Sequence, residues 1–389
     1  MSLAPTYEAD LYCDEFIKNP WPRYAEMRAL GPVIWLPAHK NFALTRNQEV
    51  RIALKGHAQF CSGNGVAADQ FGCDYLQGNT VASDQPRHTD LRKIMAPPLM
   101  PAQLEAIRPQ IKQTADALVK SLFVRDQFDA VTDLAQHLPF VVVRELIGLP
   151  DFGKENMLKW AAAAFNVLGI QNDRGAQAVA DINIMRQFLR DGINRDTVKE
   201  GSWIRQIIDL VDEGKLDPEL APFAMRDFIN PSLDTTISAI GQLIWQLGQN
   251  PDQWEKLKAQ PDSALNAVHE AVRLGTPIRM FSRQTTQPIT IADVDIPQGA
   301  RVMMMFASAN RDELVFENPD QFDITRNNRR HLGFGAGIHM CVGMHLALME
   351  MTAILESMIA HVNTIEVGTP KIAMNNTICA FSTLPSRFS

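Results

Sequence analysis

The chain has 389 residues, 46% of them apolar, with a formal net charge of -7 and acidic and basic residues interspersed. That composition supports a large buried core able to enclose a sizeable ligand, and it excludes a disordered chain or a nucleic-acid or anionic-lipid surface. The opening ten residues lack a basic leader with an apolar stretch, and no later run reaches membrane-spanning length. The expectation is a cytoplasmic protein with no membrane or nucleic-acid partner.

Taken in chain order, a short strand is predicted at 41–45 and helical periodicity at 108–122 and 176–194. A longer helical segment, 217–250, opens on Asp-Pro-Glu, ends on Asn-Pro, and is apolar on nearly every face, so it should cross the interior. Midway it carries Asn230-Pro231-Ser232 and then Asp234-Thr235-Thr236. An interior proline removes a helical hydrogen bond and should kink the axis, and polar groups at such a kink suggest a site. A last helix is expected at 346–361. The reading is a mainly α protein with small β-sheets (α+β), with neither repeat nor linker to divide it: one domain over 1–389.

The cysteines, Cys13, Cys61, Cys73, Cys341 and Cys379, are odd in number and scattered, which does not suggest a disulfide framework. Cys341 has a distinctive setting, His-Leu-Gly-Phe-Gly-Ala-Gly-Ile-His-Met-Cys-Val-Gly-Met-His-Leu over 331–346, directly before the last helix. Amides and dipole at a helix N-terminus stabilise a thiolate and should lower the cysteine's pKa, while Gly335, Gly337 and Gly343 let the backbone approach a flat ligand. His331, His339, Cys341 and His345 follow no paired metal-finger spacing.

This stretch resembles the cysteine loop of the cytochrome P-450 superfamily, Phe-Gly-x-Gly-x-His-x-Cys-x-Gly, through Phe334, Gly335, Gly337, His339, Cys341 and Gly343. The resemblance implies a haem-thiolate monooxygenase fold, a triangular prism of helices around a buried haem b with Cys341 as axial ligand to its iron. It implies a structural triad of Glu270, Arg273 and Arg326, the last within Pro319-Asp-Gln-Phe322-Asp-Ile-Thr-Arg326. It assigns propionate contacts to His88 and Arg92, in Asp84-x-Pro86-x-His88-x-x-x-Arg92, and to Arg283 and His339. Asp234 and Thr235 match the acid-alcohol pair that relays protons to dioxygen for heterolytic O–O cleavage. Where the family usually has Ala-Gly, three and two residues before the acid, this chain has Pro231-Ser232.

Several segments are similar to the bacterial subfamily that oxidises para-substituted benzoic acids: Phe60-Cys-Ser-Gly-Asn-Gly-Val66, Phe165-Asn-Val-Leu168, Asp323-Ile-Thr-Arg326 and Asn375-Asn-Thr377. By that likeness Phe165, Leu168, Ile278 and Phe281 would line the substrate pocket. Asn64 stands where the subfamily has a carboxylate-clamping arginine, leaving Arg226 or Arg279 to compensate, or else a neutral methoxyphenol-like substrate. No Rossmann fingerprint or second domain binds flavin or nicotinamide, which implies a separate ferredoxin with its reductase, docking near Lys93, Arg329 and Arg330. The expected chain is a monomer that hydroxylates or O-demethylates a small aromatic compound; a haem-thiolate peroxygenase and a non-catalytic haem-binding sensor are the alternatives.

Overall fold

Helical periodicity accounts for most of the architecture. A computed structural model describes residues 3–328 and 330–389. Eight helices frame the site: α1 (Arg87–Met95), α2 (Arg108–Phe123), α3 (Asp151–Val167), α4 (Asp173–Asp191), α5 (Ala221–Ile229), α6 (Asp234–Gln249), α7 (Ala264–Gly275) and α8 (Met344–His361). Helix α2 buries Ile111, Ala115, Leu118, Val119 and Leu122, a stripe at helical spacing, and packs along α8. Helix α4 begins three residues before its apolar periodicity because Asn172 caps it, its side chain accepting from the Gly175 amide.

The predicted strand becomes one member of a five-stranded sheet made of β1 (Val33–Leu36), β2 (Asn41–Leu44), β3 (Phe60–Cys61), β4 (Phe281–Thr285) and β5 (Arg301–Met304). The order is β1-β2-β5-β4-β3, with β2 parallel to β5 and the other pairs antiparallel. The pairing Arg283↔Val302 fixes the register of β4, and Phe281 and Arg283, two residues apart, share one face. Under the sheet, Val50, Phe60, Met304, Phe306 and Leu332 form a satellite core, while the main core fills the space between α2, α3, α6, α7 and α8.

The central segment departs from the expected kinked helix. It is two helices, α5 and α6, with residues 230–233 forming a turn that belongs to neither. Pro231 has no N–H to return to the carbonyl four residues back, and its ring crowds that carbonyl. Side chains take up the freed acceptors: the Ser232 hydroxyl donates to the Phe228 carbonyl, and Thr235 Oγ1 donates to the Pro231 carbonyl at 2.9 Å. With its carbonyls satisfied locally, the chain can break fully instead of bending.

Candidate functional site

Cys341 lies on the wall of a cavity of about 270 Å³ between α6 and α8. Gly335 and Gly337 hold φ of +69° and +72°, the left-handed region, and a Cβ on Gly337 would sit 2.3 Å from the Leu54 carbonyl oxygen. Those turns let the Cys341 amide donate to the Phe334 carbonyl at 2.9 Å, closing the loop. The sulfur accepts from the Gly343 and Met344 amides at the start of α8, as the helix-terminus argument requires. The expected net lowering of its pKa is not met. Burial raises the thiol above its ordinary value, and the two amides and Arg92 oppose that rise without overcoming it. A metal cation on the sulfur would supply what the helix end alone does not, because a coordinated thiol is deprotonated outright.

One edge of the cavity is cationic. Arg92 of α1, Arg283 of β4 and His339 of the cysteine loop line it, and His88 sits one turn before Arg92 on α1. The His88 and His339 rings meet edge-on with centres 4.4 Å apart. Both ring nitrogens of His88, and Nε2 of His339, are buried without a hydrogen-bond partner of good geometry. Arg92 donates to the Met340 carbonyl and Arg283 to the Ser282 carbonyl, yet among the described residues neither pairs with a carboxylate. Burial pushes Arg283 down to about 10, with Asp84 opposing the fall without overcoming it, and it pushes His339 far below the usual imidazole range, the neighbouring cations adding to that shift. Buried His88 and Arg283, with part-buried Arg92 and His339, are cationic or donor groups without a carboxylate partner among the described residues, and they fit a ligand that brings two carboxylates, as haem does with its propionates.

Behind the loop, Glu270 on α7 accepts from Arg273 Nε at 2.7 Å and Nη2 at 2.8 Å, and from Arg326 Nε at 2.9 Å. Glu270 and Arg273 are fully buried. Arg273 also donates to the carbonyls of Asn310 and Pro319, tying α7 to the 310–326 segment. The same helix places Val272 in the cavity wall, where a Cβ on Gly333 would lie 2.4 Å from its Cγ1. The triad thus fixes the surface against which the cysteine loop folds.

On the opposite wall stand Thr235 and Ala239 of α6. Asp234 is the first residue of α6, and burial alone pushes its carboxyl up to about 7. Phe165, Leu168, Ile278 and Phe281 all line the cavity.

The three polar positions invoked for a substrate carboxylate do not. Asn64 is exposed and donates to Gln284 Oε1 at 2.6 Å, outside the cavity. Arg226 lays its guanidinium 4.4 Å over the Phe223 ring, because consecutive helix residues point about 100° apart and Asp227 takes the cavity-facing position. Arg279 is fully buried and donates to the Asn375 and Asn376 carbonyls, beside a separate cavity lined by Trp21, Trp245, Arg311 and Cys379. Neither arginine replaces the missing clamp in this arrangement.

Two cavity carboxyls escaped the sequence reading, Asp227 on α5 and Glu350 on α8. Asp227 was overshadowed by Arg226 beside it. Glu350 has a usable signal, since it is the sole acid in the mostly apolar stretch between Met344 and Leu355. Burial holds it up to about 8, and its Oε1 is sealed without a partner.

The family described as Cytochrome P450 matches residues 195–389. The chain is similar to Cytochrome p450 CYP199A2 of Rhodopseudomonas palustris, with 32% identity over 386 residues that cover 98% of this chain and 94% of that protein. It is 29% identical over 382 residues to Linalool 8-monooxygenase of Pseudomonas putida, covering 92% of each. Among solved structures, Mycobacterium marinum cytochrome P450 CYP268A2 in complex with pseudoionone superposes over 100% of both chains with a TM-score of 0.88 and 26% identity.

Proposed function

Because the chain belongs to the cytochrome P450 family, whose cofactor is haem b, we propose that it uses dioxygen to hydroxylate or O-demethylate a small aromatic substrate, with electrons from a separate ferredoxin and its reductase. The observation that carries this reading is the single cavity that joins the Cys341 sulfur, the Thr235 hydroxyl and an unpaired cationic edge. When bound, haem supplies the iron that activates dioxygen, tuned by its sulfur ligand.

The chain's own residues divide the remaining work. His88, Arg92, Arg283 and His339 bind the propionates. Phe165, Leu168, Ile278 and Phe281 exclude water and orient an arene. Asp234, held near 7, can give or take a proton at neutral pH, and Thr235 passes it into the cavity through its hydroxyl oxygen. With Asn64, Arg226 and Arg279 turned elsewhere, the substrate carries no carboxylate.

Lys93 and Arg330 are exposed and supply the proposed ferredoxin face; Arg329 lies outside the described residues. No helix among the described residues is long and apolar enough to cross a membrane. We take 1–389 as one haem domain, monomeric and cytoplasmic.

The test is turnover of a methoxyarene by the purified holoenzyme with dioxygen, ferredoxin and reductase, alongside the reduced carbon-monoxide spectrum. We expect product and a thiolate-type spectrum, the latter abolished by Cys341→Ala. Equal activity with peroxide alone would transfer the assignment to a peroxygenase, and a thiolate spectrum without turnover of any substrate would transfer it to a sensor.

A further inference from the structure

Helix α5, the end of α3 and the loop before α1 build the part of the cavity that holds Phe165, Leu168 and Thr80. Asp227 is the charged side chain on this wall. It is 8% exposed, and Thr80, itself buried, donates to one carboxylate oxygen through both its amide, at 2.9 Å, and its hydroxyl, at 2.6 Å. Both bonds go to Oδ2. Oδ1 has no hydrogen-bond partner among the described residues.

The cations nearby do not fill that vacancy in bonding. Arg226 and Arg87 both lie over the Phe223 ring, at 4.4 and 4.7 Å, and Arg186 lies over Tyr75 at 4.0 Å. None forms an ion pair with Asp227 among the described residues. The other cations in the cavity, Arg92, Arg283 and His339, belong to the propionate edge. An apolar ligand entering here therefore meets an acceptor with spare capacity, and burying that acceptor without a donor is costly.

We propose that Asp227 determines substrate specificity, its Oδ1 accepting a hydrogen bond from a hydroxyl or ammonium group on a small aromatic substrate and repelling a carboxylate there. This rests on the haem-dependent oxygenase reading of the same cavity and names its substrate class. A donor satisfies Oδ1 in a desolvated site, whereas an anion would place like charges together. Burial already lifts Asp227 to about 6 despite the Thr80 bonds, and a donor on Oδ1 relieves part of that penalty.

Four probes of one ring size separate the cases by calorimetry on the ferric holoenzyme: 4-methoxyphenol, 4-methoxybenzylammonium, 1,4-dimethoxybenzene and 4-methoxybenzoate. At least one of the first two should bind about tenfold or more tighter than the last two, since a charge-assisted hydrogen bond is worth roughly that. The tighter one tells hydroxyl from ammonium. Asp227→Asn should erase the preference and admit the benzoate, while Asp227→Glu should keep it. Benzoate binding as tightly as the donors, an unchanged ranking in Asp227→Asn, or silence from all four with an intact carbon-monoxide spectrum would overturn the proposal. Absence of a thiolate-type spectrum in the wild-type protein would instead remove the oxygenase reading, and the inference with it.

Discussion

The imidazoles of His88 and His339 meet edge-on, 4.4 Å between ring centres, with three of their four nitrogens buried and lacking a well-formed hydrogen bond. Two facing rings with unused donors are a poor arrangement for a protein interior on its own. The arrangement makes sense as half of a binding site. Replacing either ring by Phe keeps the packing and removes the donors, so haem content per chain should fall severalfold while the secondary structure is retained. The ratio of Soret to protein absorbance after purification, with circular dichroism as control, checks this.

A second expectation concerns the triad. Glu270→Gln leaves Arg273 buried beside a neutral amide, and breaking a buried pair from one side costs about 3–5 kcal/mol. Arg326→Ala should cost less, because its side chain is 11% exposed and Arg273 still holds Glu270. Urea unfolding of the holo forms should rank wild type above Arg326→Ala and both above Glu270→Gln. The reverse order would show that Arg326, and not Arg273, is the main partner of Glu270.

Asp234 gives a pH-dependent prediction. Its carboxyl is pushed up to about 7, so it is protonated below neutrality and ionised above it. If the protonated form supplies the proton, ferredoxin-supported turnover declines as pH rises through about 7. Asp234→Asn should flatten that limb and slow turnover roughly hundredfold, the lower range for general acid catalysis, with haem still bound. A pH profile of kcat that matches between the two proteins would exclude Asp234 as the proton donor.

The features legible in the sequence were those with local causes. The cysteine loop announces itself because two positive-φ glycines and a helix start occur within a few residues of the thiol. Glu270 and Arg273 meet because three-residue spacing puts them on one face. The central break was harder to read, since a proline signals disruption without revealing whether Ser232 and Thr235 will take the freed carbonyls. Hardest was the direction of single side chains. Arg226 and Asp227 differ by one residue, and that step decides which charge faces the substrate. Arg279 looked available from Ile278 beside it, but it is committed to the Asn375 and Asn376 carbonyls across a long-range contact.

Glu350 provides the final prediction, on stability. Its carboxyl has an ordinary value of 4.5 and is held up to about 8 by burial in the folded protein. Below about pH 4.5 both folded and unfolded chains carry the proton, and the group is neutral to folding. Between those values the unfolded chain ionises while the folded chain does not, so stability falls as pH rises. Above about 8 the folded carboxylate ionises too, and the full penalty, on the order of a few kcal/mol, is in place. Glu350→Gln cannot titrate, so the holo variant should gain stability over wild type from about pH 5 upward, the gain levelling off above 8. Chemical unfolding at pH 5, 7 and 9 measures the difference. A gain that is the same at all three pH values would mean that the substitution improves packing and that Glu350 is not held protonated.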